Sequence, residues 1–192
     1  VQAEYAQGWL AQRIEADGNK QAAWRTDPTR AGVAGAVGDI GTHAFHLVEF
    51  VTGLRVSHLA ADLSSFVEGR PLDDNAQMML RFDNGARGAL WVSQVAVGEE
   101  NGLRLRVYGD RAALEWSQES PNELRVKHSP TTIVTRGGQA AGALANRATR
   151  VPAGHPEGYI EAFAQIYRDA ADLILASGQG ASSEPNAQLV PT

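Results

Sequence analysis

Apolar residues recur at spacings of three and four in two stretches of this chain, and each predicts an amphipathic helix. In the first, Ile40, Ala44, Leu47, Val51 and Leu54 form one face of a helix over Asp39–Thr52, closed by Gly53. In the second, Tyr159, Ile160, Phe163, Ile166, Tyr167, Ala170, Leu173 and Ile174 predict a helix ending near Gly178. A less regular stripe, Tyr5, Trp9, Leu10 and Ile14, predicts a helix within Glu4–Glu15, stopped by Asp17-Gly18. Lys20–Arg25 reads as a short strand closed by Thr26-Asp27-Pro28, after which Gly32, Gly35, Gly38 and Gly41 form a loop into the Asp39 helix.

Beyond Gly53 the pattern turns to β. Strands are predicted near His58–Val67, Asn75–Phe82, Arg87–Val97, Leu103–Val107, Ala113–Ser117, Glu123–Lys127 and Thr131–Thr135, each bounded by turn residues. Asp83-Asn84-Gly85 is a hairpin signal, because Asn-Gly tolerates the positive φ of tight turns; Gly109-Asp110 and Pro121-Asn122 mark further turns. Residues 137–150 predict a mobile loop or weak helix, and Val151–Gly158 a rigid lead-in to the last helix. The order helix, strand, helix, strands, helix implies one α+β domain over 1–192, a large open, mainly antiparallel sheet with helices on one face, and an irregular tail over 178–192.

A chain of 192 residues can bury a real core, and 43% hydrophobic with 20% charged residues describes an ordinary globular protein. The net charge of −5 and the absence of a basic run argue against nucleic acid as a partner. No apolar run reaches the roughly 18 residues of a membrane span. There are no cysteines, which excludes disulfides, Cys-type zinc sites and thiol nucleophiles, and fits a cytoplasmic location.

The candidate chemistry sits at the start of the first helix. At about 100° per residue, Asp39, His43 and His46 fall within roughly 60° of arc, at the border of the apolar face. Three readings are open. The histidines can be hydrogen-bonded structural residues with Asp39 as a cap. The three can be metal ligands, completed by Glu49 or His155. Or a histidine can act as general base, oriented by the carboxylate. The glycine ladder does not have the G-x-G-x-x-G spacing of a dinucleotide loop, nor an apolar strand before it. Trp24 and Arg25, leading to the motif, are candidate substrate contacts, as are His46 and, in the lead-in to the last helix, His155 and Tyr159. His58, His128, Trp91 and Trp116 read as structural or sheet-face residues.

Gly38-Asp39-Ile40-Gly41-Thr42-His43, followed by an apolar helix and Thr52-Gly53, resembles the G-D-x-G-x-H motif of the glucose–fructose oxidoreductase/inositol dehydrogenase/MocA family. The resemblance runs on through Arg81-Phe82-Asp83-Asn84-Gly85-Ala86 and Val107-Tyr108-Gly109. It implies the C-terminal domain of an NAD(P)-dependent dehydrogenase acting on a sugar, polyol or related compound. His43 would then be the acid–base residue and Asp39 its partner, with no metal. The family's Glu-Lys-Pro motif and phosphate-binding glycine loop are absent here, since both belong to the N-terminal Rossmann domain. The cofactor, NAD or NADP, is thus expected to bind the full-length protein and not tightly to this chain, which is expected to be inert alone. A non-catalytic carbohydrate-binding or assembly module is the alternative. Leu90, Val92, Leu103, Leu105, Val107 and Leu114 suggest an apolar open face, so a homodimer or tetramer through that face is expected.

Overall fold

The computed structural model describes residues 1–178, which divide into two compact units: Val1–Ser120 with Lys127–Pro130, and Pro121–Val126 with the residues from Thr131 onward. The expected irregular tail lies outside the described residues.

The first unit holds β1 (Gln2–Ala6), α1 (Lys20–Arg25), α2 (Pro28–Ala31), a π-helical turn at Val37–Gly41 and α3 (Thr42–Thr52). These are followed by β2 (Val56–Ser64), β3 (Asn75–Phe82), β4 (Arg87–Ser93), β5 (Gly102–Tyr108) and β6 (Ala113–Ser117). The strands run in the order β2-β3-β4-β1-β5-β6. Every pairing is antiparallel except β1 with β4. This is the open, mainly antiparallel α+β sheet that the pattern implies. The turn at Asp83-Asn84-Gly85 forms as expected, with Gly85 at φ +88°.

Two elements differ from the reading of the sequence. The stretch expected as a helix from Glu4 begins as β1, which fills the gap between β4 and β5 in register Tyr5↔Val92 and Tyr5↔Leu103. Its inward residues Ala3 and Tyr5 are buried, so tertiary pairing outweighs the local stripe. Lys20–Arg25 is α1 instead of a strand. Asn19 caps it, accepting the N–H groups of Gln21 and Ala22 at 3.0 Å.

The core lies between one sheet face and α3. Ile40, Ala44 and Val48, four residues apart, pack on Ala3, Tyr5, Ala76, Leu80, Leu90, Val92, Leu103 and Leu105. The face expected from the helical wheel is therefore rotated: Val48 is fully buried, while Val51 is 46% exposed. Leu90, Val92, Leu103 and Leu105 also belong to this covered face and not to the open one. The alternation of side chains along each strand puts them under α3. The opposite face carries Ala60, Met79, Ala89 and Trp91 beside charged residues, with Arg104 bonded to Glu4 and Glu99 at 3.0 and 2.9 Å. Met79 is 70% exposed.

The second unit contains β7 (Glu123–Lys127) paired antiparallel with β8 (Thr132–Thr135), then α4 (Ala143–Ala148) and α5 (Tyr159–Gly178). Residues 137–150 thus include a short helix. Glu157 is buried at the lead-in to α5, where it bonds Arg136 and the backbone N–H of Arg150.

Candidate active site

The site starts from the backbone that presents Asp39. Asp73 accepts the N–H of Gly35 with Oδ1 at 2.7 Å and that of Val37 with Oδ2 at 2.8 Å. Its main-chain carbonyl takes the intervening N–H of Ala36 at 2.8 Å. Three donors that a helix start leaves unpaired are thus satisfied by one residue distant in sequence. The π-helical turn follows, with the N–H of Thr42 bonded to the carbonyl of Val37. Such widened turns are concentrated at functional sites. Asp39 lies within it.

The Asp39 carboxylate is about one-quarter exposed, and its Oδ2 accepts two hydrogen bonds of 2.7 Å, from Arg25 Nε and Gln94 Nε2. Arg25 comes from the last turn of α1. Its guanidinium lies 5.7 Å from the Trp9 ring centroid and 5.1 Å from that of Trp24, and its Nη1 bonds Gln21 Oε1 at 2.6 Å. The cation lies over both indole rings, while Asp39 and Gln21 accept its N–H groups.

His43 is exposed, and its ring meets that of Tyr5 edge-on, with centroids 6.4 Å apart. Tyr5 is held at its hydroxyl, which donates to Asn101 Oδ1 at 2.7 Å. Gln7 Nε2 donates to the same oxygen at 2.8 Å, and Trp9 Nε1 donates to Gln7 Oε1 at 3.0 Å. Tyr5, Gln7 and Trp9 line a recess of about 350 Å³ together with Gln21, Arg25, Asp39 and Ile40.

The structure therefore gathers Asp39, Arg25 and Trp24, and sets His43 one turn beyond. The hydrogen bonds to Asp39 come from Arg25 and Gln94, and His43 makes its contact with Tyr5. His46 is half-buried with its ring 5.9 Å from that of Phe50. Among the described residues no three His, Asp or Glu side chains are gathered to hold a metal ion. His155 and Tyr159 belong to the second unit. The His155 Nδ1 lies 3.2 Å from the carbonyl of Pro152, and Tyr159, 74% exposed, packs edge-on against Phe163. Nothing local in the sequence points to Gln94, Asp73 or Asn101, and Tyr5 and Trp9 read there as helix-face residues. The pairing of β1 between β4 and β5 brings these residues together, and only its register could have revealed them.

The profile of the GFO/IDH/MocA C-terminal domain matches residues 1–115. An uncharacterized oxidoreductase of Bacillus subtilis, YfiI, is 35% identical over 174 residues, covering 87% of this chain and 44% of that protein. The crystal structure of an inositol dehydrogenase homolog complexed with NAD+ from Azotobacter vinelandii is 36% identical with a TM-score of 0.89. That match covers 93% of this chain and 47% of the homolog. Levoglucosan dehydrogenase in complex with NADH and levoglucosan is 25% identical with a TM-score of 0.66, covering 81% and 44%. The chain spans about half the length of the relatives it matches. No described helix is long and apolar enough to cross a membrane. By its fold and its matched residues, the chain belongs to the GFO/IDH/MocA family of oxidoreductases, in which it corresponds to the C-terminal domain.

Proposed function

We propose that this chain is the substrate-binding and proton-accepting half of an NAD(P)-dependent dehydrogenase that oxidises a hydroxyl of a sugar, polyol or related compound. The observation that carries this reading is the recess lined by Tyr5, whose ring meets that of His43. It presents an ion-paired carboxylate and side-chain amides that both donate and accept, and its arginine lies over two indole rings. Such a set suits a neutral ligand with many hydroxyls and some C–H surface.

His43 accepts the hydroxyl proton on a ring nitrogen as the carbinol carbon is oxidised to a carbonyl, and Asp39 receives a hydrogen bond from a substrate hydroxyl. Trp24, Arg25 and His46 border the substrate in this reading. Among the described residues, the glycine-rich turn does not cradle a dinucleotide. The N–H groups of Gly35 and Val37, which open the glycine-rich turn, are already taken by Asp73. NAD or NADP, the hydride acceptor, is accordingly assigned to the other half of the full-length enzyme, and this chain alone is inert.

A second copy is proposed to pack on the open sheet face. Ala60, Met79, Ala89 and Trp91 supply its apolar patch, and the Glu4–Arg104 pair its charged border. The functional reading is tested by titrating this chain with myo-inositol and levoglucosan while following tryptophan fluorescence, and by assaying it with NAD and NADP. A saturable change with at least one polyol and no turnover are expected. Turnover by this chain alone, or no response to any polyol in a wider panel, would overturn the reading.

A further inference from the structure

Gln94 directly follows β4 and is 2% exposed. A buried primary amide is costly unless its donors and acceptor find partners. Its backbone is fixed at both ends: the N–H donates to the carbonyl of Asp74 at 2.8 Å, and the carbonyl accepts from the N–H of Leu10 at 3.0 Å. Asp74 is itself buried and tied down, accepting the N–H groups of Phe66 and Val67 at 2.9 and 3.0 Å. The side chain of Gln94 thus leaves a rigid base, and its Nε2 meets Oδ2 of Asp39 at 2.7 Å. Arg25 Nε approaches the same oxygen at 2.7 Å.

We propose that Gln94 is a positioning residue for Asp39: with Arg25 it holds Oδ2 and so presents Oδ1 to a substrate hydroxyl. The inference rests on the function proposed above and deepens it. Two donors on one carboxylate oxygen fix the rotation of the carboxylate plane, which one donor leaves free. An amide suits the task because it donates without carrying charge. A carboxylate in its place would repel Asp39, and a hydrocarbon would release it. Arg25 is one-quarter exposed and can be drawn aside by a ligand, whereas Gln94 cannot move without disturbing β4.

The test uses Gln94→Leu and Gln94→Glu in the full-length dehydrogenase, together with NMR on this chain. Both variants are expected to lower kcat by about ten- to a hundredfold, as loss of an orienting partner does elsewhere. KM should change less than about threefold, with kcat referred to the folded fraction of each variant, since loss of folded enzyme alone also lowers apparent kcat at constant KM. In this chain the side-chain amide resonances of Gln94 are expected to shift when Asp39→Asn is introduced. A kcat within about twofold of wild type in both variants, or unmoved Gln94 resonances, would overturn the inference. The resonance readout is independent of turnover. A normal kcat in His43→Asn would therefore overturn the functional reading, while a missing shift would overturn this one.

Discussion

The main-chain carbonyl of Asp73 occupies the space that a β-carbon on residue 35 would need: the two would stand 2.0 Å apart. Only glycine lets the backbone come this close, and the approach is what allows both carboxylate oxygens of Asp73 to reach the start of the turn carrying Asp39. Gly35→Ala is expected to destabilise the chain by about 1–3 kcal/mol, since backbone must shift to relieve the contact. Asp73→Ala should cost a similar ~1–3 kcal/mol by leaving N–H groups without partners. Urea denaturation of this chain measures both. Unchanged midpoints would show that the approach does not constrain the turn.

A second prediction concerns the cation under Asp39. Arg25 presents a planar fork over two indole rings, a role that a lysine ammonium does not reproduce. Arg25→Lys is expected to lower kcat/KM of the full-length dehydrogenase by about ten- to a hundredfold, or ~1.4–2.8 kcal/mol. The melting temperature should stay close to that of the wild type, because the side chain is partly exposed. Steady-state kinetics with calorimetry checks this, and full activity in Arg25→Lys would remove the guanidinium from the site.

Away from the site, Arg70 ties the segment after β1 to the loop before β3. Its side chain is 3% exposed, pairs with Glu15 at 2.9 Å and donates to the carbonyls of Leu10 and Gln12 at 2.6 and 2.8 Å. The hydrogen bond from Arg70 holds the Glu15 carboxyl below its usual value of 4.5. A depressed carboxyl stabilises the fold above its unfolded pKa, and that contribution disappears as pH falls through the lower folded value. The stability gap between wild type and Glu15→Gln should therefore be full at pH 7 and shrink below about pH 4.5. Arg70→Met should cost on the order of 3–5 kcal/mol at neutral pH. Denaturant titrations at pH 7 and pH 3.5 test both, and a pH-independent gap would contradict the assignment.

How far the sequence foretold this arrangement depends on which interactions are local. The later strands, α3 and α5 were legible because each carries its own period and turn residues; Gly85 at φ +88° stands where Asn-Gly requires it. The first 25 residues were not. Ala3 and Tyr5 alternate as a strand should, but Trp9 and Leu10 extend them into a false helical stripe, and the pairing that decides the matter is with residues about 90 positions away. In α1, the Asn19 cap decides for helix, while the only buried residue is Ala22. Asp39 and His43 stood out by motif. Gln94 did not, since nothing local distinguishes a buried glutamine at a strand end from a solvated one.

The open sheet face yields a further test. Met79, exposed on β3 beside Ala60 and Ala89, is the natural centre of a contact with a second copy. Met79→Glu, with no core contact to lose, should shift the sedimentation profile of this chain toward monomer without lowering its melting temperature by more than ~1 kcal/mol equivalent. An unaltered oligomer would place the interface elsewhere.

The central claim is that His43 takes the substrate proton. Its most direct measurement is kcat/KM for the full-length dehydrogenase and its His43→Asn variant on the best polyol substrate. A loss of about a hundred- to ten-thousandfold is expected. A variant that keeps wild-type kcat/KM would contradict the account.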